Sequence, residues 1–327
     1  MPNSTLRSRS ALTSIHSLFI VFAILAAATN ALAADRTPHV VFVTGDEEYR
    51  SEESMPMLAK ILYRDYRFRI SIAYSLDKEG HIDPNNTTDA TGIEALATAD
   101  LMVLFTRFRH WPDDKFQRFL DYVAEGKPIV GFRTATHAFR YPADHRFAVW
   151  NENKIAQLVG QKWITHHGHH GTQILTKIRR VEAMKKHPIL RGVEPFDAYS
   201  WLYHVQGGVD QLHGDSQPLM IGRALKSKHL RAENTERFPL EGPVAWIKTY
   251  RAASGKQGRV FFSTAAHPYD FKAEANRKLA LNGILWALGL EKQIPAAGCN
   301  TNLVDEYEPN DAGFGTKFKQ NRKPEKI

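Results

Sequence analysis

Three short stretches of the chain hold most of the side chains that could do chemistry. Gly45-Asp46-Glu47-Glu48-Tyr49-Arg50, followed by Ser51, Glu52 and Glu53, sets carboxylates beside a guanidinium. Thr106-Arg107-Phe108-Arg109-His110-Trp111 supplies two arginines, whose planar forks can grip a carboxylate or carbonyl through paired hydrogen bonds. Arg133-Thr134-Ala135-Thr136-His137 adds a third arginine, two hydroxyls and an imidazole. A fourth stretch, Thr165-His166-His167-Gly168-His169-His170-Gly171, gathers histidines around a glycine, and neutral imidazole both carries protons near pH 7 and ligates metals.

These types suggest roles. Arg133 would hold a carbonyl or anionic group, with Arg109 assisting. Glu48 and His137 are the acid/base candidates, and His169 and His170 would close the site as proton carriers or metal ligands. Glu47, Arg107, Arg109, Thr134 and His167 are candidate substrate contacts. There is no H-E-x-x-H or paired-cysteine pattern, so no ligand set is assigned. His137, His169, His170 and His267 are the candidates should a divalent metal such as zinc bind. Each residue also has a structural use: the acids as caps of a following helix, the arginines as their partners, the histidine loop as a solvated surface.

Such groups need elements to position them. The first three stretches each follow a short apolar run: His39–Thr44, Leu101–Phe105 and Pro128–Phe132. Phe68–Tyr74 is a further strand. Helices are expected over Ser54–Arg64, with Met55, Leu58, Ala59, Leu62 and Tyr63 on one face, over Asp89–Ala99, and from Pro112 to Glu125. Strands of unbroken hydrophobicity separated by helices imply a parallel sheet covered on both faces. In such sheets ligands bind beyond the carboxyl ends of the strands, where the strand order reverses, and that is where the three stretches fall. The second half offers strands at Gln173–Ile178, Tyr199–Val205, Leu219–Ala224, Val244–Tyr250 and Arg259–Thr264, the last two joined as a hairpin at Lys256-Gln257-Gly258. A helix over Ala275–Leu288 closes the pattern. His267 follows the last strand, again at an edge.

The termini read differently. Arg7 and Arg9 precede the apolar run Leu18–Ala28, and Ala31-Leu32-Ala33 has the A-x-A form of a processing site. Residues 1–33 are therefore expected to be a signal peptide cleaved near Ala33–Ala34, the alternative being an uncleaved anchor. The expected product is exported, periplasmic or secreted, with no stable membrane insertion. Removing Arg7 and Arg9 lowers the formal charge from +8 to +6. No RNP motif, zinc finger or basic helix accompanies that charge, so no nucleic-acid partner is expected, and acidic surfaces or anionic substrates suit it better. Cys299 is the only cysteine, which rules out an internal disulfide and leaves stability to an ordinary core. Residues 294–327, rich in Pro, Gly, Asn and Lys, read as an extended or disordered tail.

Several motifs together resemble the ThuA-like, or trehalose utilisation, family. They are G-F-R-T-A-T-H-A-F at Gly131–Phe139, H-H-G-H-H-G at His166–Gly171, H-P-I-L-R-G-V at His187–Val193, P-V-A-W at Pro243–Trp246, G-R-V-F-F-S-T-A-A-H at Gly258–His267 and N-G-I-L-W-A-L-G at Asn282–Gly289. The resemblance spans about His39 to Gly289, within an expected domain of residues 34–293. It implies an α/β, flavodoxin-like fold, similar to class I glutamine amidotransferases: an open, mostly parallel sheet with helices on both faces. It also implies a link to disaccharides or their oxidised forms. Where an amidotransferase has its nucleophilic cysteine, this chain has the Gly131-Phe132-Arg133-Thr134-Ala135 turn, and an arginine cannot serve as a thiolate. Cysteine-dependent glutamine hydrolysis is excluded. The expectation is an enzyme, a hydrolase, lyase or isomerase, acting on a carbohydrate or anionic sugar derivative. A non-catalytic sugar-binding or sensing protein is the alternative, with Trp111, Tyr49, Phe139 and Tyr203 as aromatic platforms. A structural partner whose tail docks elsewhere is the third.

Overall fold

Alternate residues of one apolar strand feed two different cores. In β1 (His39–Gly45), Val40 and Phe42 pack on one side of the sheet, while Val41 and Val43 pack on the other. A strand buried on both faces has no room for polar alternation, which is why its sequence is continuously hydrophobic. The computed structural model describes residues 36–151, 153–168, 175–204, 212–231 and 233–327. The expected signal peptide and its expected cleavage point near Ala33–Ala34 lie outside the described residues, as do His169 and His170.

The unit from His39 to Ile327 is built on nine strands in the order β2-β1-β3-β4-β11-β10-β9-β6-β7. Here β2 is Arg69–Ala73, β3 Leu101–Thr106, β4 Ile129–Phe132, β6 Thr176–Arg180, β7 Phe196–Ala198, β9 Gln217–Ala224, β10 Glu241–Arg251 and β11 Gln257–Ser263. The run β2-β1-β3-β4-β11 is parallel, a flavodoxin-like order. The strands beyond β11 extend the sheet antiparallel, and β10 and β11 form the expected hairpin. A separate ribbon pairs β5 (Thr165–His166) with β8 (Tyr203–His204).

Helices α1 (Ser51–Tyr66) and α4 (Glu274–Ala287) cover one face of the sheet; α2 (Asp113–Ala124), α3 (Asn153–Val159) and the 3-10 turn Ile93–Thr98 cover the other. Trp111 and Phe139 belong to an aromatic cluster around Phe116 in this second core, so neither is a ligand platform. Among the described residues, no helix is long and apolar enough to cross a membrane.

Some expected elements differ. The anticipated strand Tyr199–Val205 is interrupted because the Asp270 carboxylate accepts hydrogen bonds from the Tyr199 amide (2.6 Å) and the Ser200 amide (3.3 Å), turning the chain between β7 and β8. The Asp89–Ala99 helix shortens to the 3-10 turn, and α3 had no reading in the sequence.

The C-terminal segment after Ile294 has no helix or strand, yet it lies along the body. The Tyr307 hydroxyl donates to the Pro268 carbonyl (3.0 Å), and Lys319 pairs with Glu53 (2.9 Å). The Gly313 amide donates to the Glu48 carbonyl (2.8 Å), and the Ile82 amide to the Arg322 carbonyl (2.7 Å). Lys319, one of the lysines of this segment, thus ties the arm to an acid of α1. Cys299 is buried, accepting from the Tyr66 hydroxyl at 3.2 Å.

Candidate functional site

The chain runs from β1 to β2 on one side and returns to β3 on the other, so the strand order reverses at β1 and the loops after β1, β3 and β4 meet at one carboxyl edge of the sheet. At the end of β1, Gly45 has φ +142°, and a Cβ there would meet Arg109 Cδ at 3.2 Å and Ser75 Oγ at 3.0 Å. Only glycine lets the arginine stem pass. Asp46 is fully buried and folds the next turn: its Oδ1 accepts from the amides of Glu48 (2.8 Å) and Tyr49 (2.9 Å), and its other oxygen accepts from the Thr134 hydroxyl. Thr134 therefore bolts the β1 loop to the turn after β4. Asp46, a part of the framework that the sequence reading did not single out, is the hub.

Glu47 receives both arginines of the β3 loop, Arg107 and Arg109. Arg109 is fully buried, and its remaining hydrogen bonds go to the carbonyls of Arg107 (2.6 Å), Pro84 (3.0 Å) and Asn86 (3.2 Å). It holds loops together. Arg107 also lies 3.1 Å from a Glu48 carboxylate oxygen, though off the hydrogen-bond line. Burial pushes the Glu48 carboxyl up to about 7 against the pull of Arg107, with the Asp46 charge adding to the rise and Arg133 and the Tyr49 hydroxyl opposing it.

Arg133 occupies the elbow where β4 turns into the 3-10 helix Arg133–His137. Its φ is +39°, a left-handed conformation that non-glycine residues avoid and that clusters at functional sites. The side chain is fully buried, with its guanidinium carbon 4.1 Å from the centre of the Tyr49 ring and 4.5 Å from that of Tyr203. It donates to the Tyr49 hydroxyl (2.9 Å), the Thr264 carbonyl (2.9 Å) and, at 3.4 Å, the Trp201 carbonyl, while Nε has no hydrogen-bond partner among the described residues. Burial works against the charge, but Tyr203 and Tyr49 outweigh it and keep Arg133 protonated. Burial likewise holds the Tyr49 hydroxyl well above its usual range, so it stays a neutral phenol.

Arg133 and Tyr49 open onto a cavity of about 260 Å³, walled also by Tyr199, Trp201 and His267 and, from the C-terminal arm, by Asp311, Ala312 and Lys317. Pockets for drug-sized ligands run about 300–1,000 Å³, so this one suits a smaller molecule. His267 Nδ1 accepts from the Tyr269 amide (3.1 Å), which leaves the ring proton on Nε2, 3.3 Å from Asp311 Oδ1. That contact, before burial opposes it, holds the Asp311 carboxyl below its usual range. Nothing in the sequence pointed to Asp311 or Lys317, which lie far along the chain in a segment with no periodicity. Tyr199 and Trp201 sit in the segment read as a strand.

His137 packs among Phe108, Trp163 and Tyr203 and does not line the cavity. Its Nδ1 meets the Thr136 hydroxyl at 3.0 Å, and burial, reinforced by Arg107, Arg133 and Arg140, keeps it neutral. The histidine loop divides by strand alternation: the His166 ring stacks on Trp201 at 4.4 Å, whereas His167 contacts Ser227 (2.9 Å) and faces His229. Burial, then His229, His204 and Lys228, bring His167 down to about 4. Among the described residues no group of three or more His, Cys, Asp or Glu side chains is arranged to hold a metal ion. The site thus unites Glu47, Glu48, Arg107, Arg109, Arg133, Thr134 and, through its own wall, His267, with His137 alongside and His167 in a separate cluster.

The family model for ThuA, described as trehalose utilisation, matches residues 39–287. No curated protein matches the chain in sequence. A solved protein of Parabacteroides merdae ATCC 43184 described as ThuA-like is 17% identical, with a TM-score of 0.46 over 89% of this chain and 100% of that one. One from Bacteroides uniformis ATCC 8492, described likewise, is 15% identical, with a TM-score of 0.45 over 77% and 92%.

Proposed function

We propose that this chain, which belongs to the ThuA, trehalose utilisation, family, takes a sugar or sugar derivative into the cavity at Arg133 and transforms it. Family membership supports the role in carbohydrate utilisation. The observation that carries the reading further is Arg133 itself: a buried cation at a left-handed elbow, clamped between two phenol rings and lining a small hollow. A buried guanidinium that makes no ion pair within 4 Å among the described residues favours a ligand oxygen that is anionic or strongly polarised. Tyr199 and Trp201, each backed on one side by a histidine ring, offer their remaining surface to a sugar ring, and the charged walls offer partners to its hydroxyls.

Glu48 is the candidate for proton transfer, since its carboxyl sits near neutrality and it acts on the cavity through the Tyr49 hydroxyl. Proton transfer beside a carbonyl held by Arg133 fits an isomerase or lyase, and water activation fits a hydrolase. A second reading, binding without turnover, is favoured by His267, whose two ring nitrogens both face partners and which therefore offers no free base. Turnover assays over neutral, oxidised and acidic mono- and disaccharides separate the two. Turnover lost in Arg133→Ala with the fold intact supports the enzyme; binding of a sugar with no turnover across the whole panel supports the second reading.

Export is part of the proposal, resting on the basic start, apolar run and A-x-A site of residues 1–33. The mature protein is expected to begin near Ala34, which an intact-mass measurement on protein from the native host checks. A chain that retains Met1–Ala33 would contradict it.

A further inference from the structure

We infer that the C-terminal arm is a working wall of the cavity, and that Lys317 makes the site select sugars that carry a carboxylate. The inference rests on reading the cavity as a sugar site and adds the ligand class and the residue that chooses it.

The arm is fixed where it meets the cavity. The Gly313 amide donates to the Glu48 carbonyl (2.8 Å), and the Gly313 carbonyl accepts from Arg50 Nη2 (3.0 Å). On one side of that anchor Asp311 meets His267, and on the other the Gly315 carbonyl accepts from Asn85 Nδ2 at 3.1 Å. Gly313 has φ +142°, and a Cβ there would sit 2.7 Å from Lys317 Cδ and 2.9 Å from Lys317 Nζ. The lysine side chain therefore lies directly over the anchored glycine, in space that only glycine leaves open, and reaches the cavity wall. Its ammonium makes no hydrogen bond or ion pair among the described residues, whereas Lys319, two positions on, pairs with Glu53 at 2.9 Å.

The charges then decide the ligand. Arg133 and Lys317 bring two cations to the cavity, and Asp311 brings one carboxylate, already engaged on one oxygen by His267; Glu48 lies outside the lining, and burial pushes its carboxyl up to about 7, so it compensates Arg133 only in part. A neutral sugar leaves a cation uncompensated as the cavity fills and water leaves. A uronic or aldonic acid supplies the missing charge, while its hydroxyls can turn to Asp311 and its ring to Trp201.

Calorimetric titration of the full chain with D-glucose, trehalose and D-glucuronate tests this. Glucuronate is expected to bind about tenfold or more tightly than glucose, in keeping with a charge-assisted contact. Lys317→Met should bring that ratio to within about threefold, and Lys317→Arg, which keeps the charge, should preserve it. Equal affinity for glucose and glucuronate in the unaltered protein overturns the ligand class. A preference that survives Lys317→Met overturns the role of the arm. In both cases the sugar reading stands. No binding of any of the three sugars to the unaltered protein removes the sugar reading and the inference together.

Discussion

At the scale of single residues, Arg133 combines features that are individually costly. It is a fully buried cation at a positive φ, and it donates to a phenol and two backbone carbonyls. Such a residue cannot be trimmed without leaving polar atoms unpaired. Arg133→Lys keeps the charge but loses the fork that reaches Tyr49, Thr264 and Trp201 at once. It should cost on the order of 1–3 kcal/mol of stability, read by urea denaturation, and weaken sugar binding about tenfold or more. Glu48 gives a pH signature. Its folded value, about 7, lies above the ordinary 4.5, so the native state holds the proton more tightly than the unfolded chain. Its contribution to stability is full below about pH 4.5 and is lost as pH rises through about 7. Glu48→Gln should flatten that part of a melting-temperature profile; a profile unchanged by the substitution would contradict the burial argument. The placement of Glu48 and Arg133 at one sheet edge was legible in the sequence because both follow apolar strands that end there. Their actual bonding was not, since Arg109 and Thr134 follow equally good strands and are spent on holding loops.

At the scale of elements, the β1–β4 frame and the β10–β11 hairpin were readable because periodicity and turn residues report directly on burial. The break between β7 and β8 was hidden, because it is imposed by Asp270, about seventy residues away in the chain. The arm was hidden for a related reason. Its binding combines isolated apolar anchors, Cys299 and Tyr307, with single polar contacts to α1, the β1 loop and the turn after β11, and no hydrophobic repeat announces it. Glycine at 313 is the sharpest test of that docking. Gly313→Ala would force a Cβ into the Lys317 side chain at a φ that alanine rarely adopts. Amide exchange at residue 313 should quicken markedly while exchange in β1 and β3 stays slow; equal protection in both proteins would mean that the arm tolerates the change. Beneath the arm, Glu52 in the first turn of α1 is buried, with neither carboxylate oxygen hydrogen-bonded. Burial raises it to about 8 despite Arg50, so its contribution falls as pH rises from about 4.5 through 8. Glu52→Gln should therefore raise the melting temperature at pH 8.5 relative to the unaltered protein and change it little at pH 4. A fall at pH 8.5 would show that the Arg50 pair outweighs the burial.

At the scale of the whole molecule, the parallel flavodoxin-like half brings Tyr49, Arg133 and His267 to the cavity, and the turn after β7 brings Tyr199 and Trp201. The C-terminal arm then closes the cavity with charge. Cysteine chemistry is absent from the elbow where the related amidotransferase fold would place it, and a guanidinium occupies the position instead. The chain belongs to a family described by trehalose utilisation, and the proposed ligand of this cavity is an oxygen-rich, partly charged sugar. The most direct test is a crystal structure of the full chain with the tightest-binding sugar among glucose, trehalose and glucuronate. The expected result is a sugar ring against Trp201 with one of its oxygens within hydrogen-bond distance of the Arg133 guanidinium. A sugar bound elsewhere on the protein, with the Arg133 cavity holding only water, would contradict it.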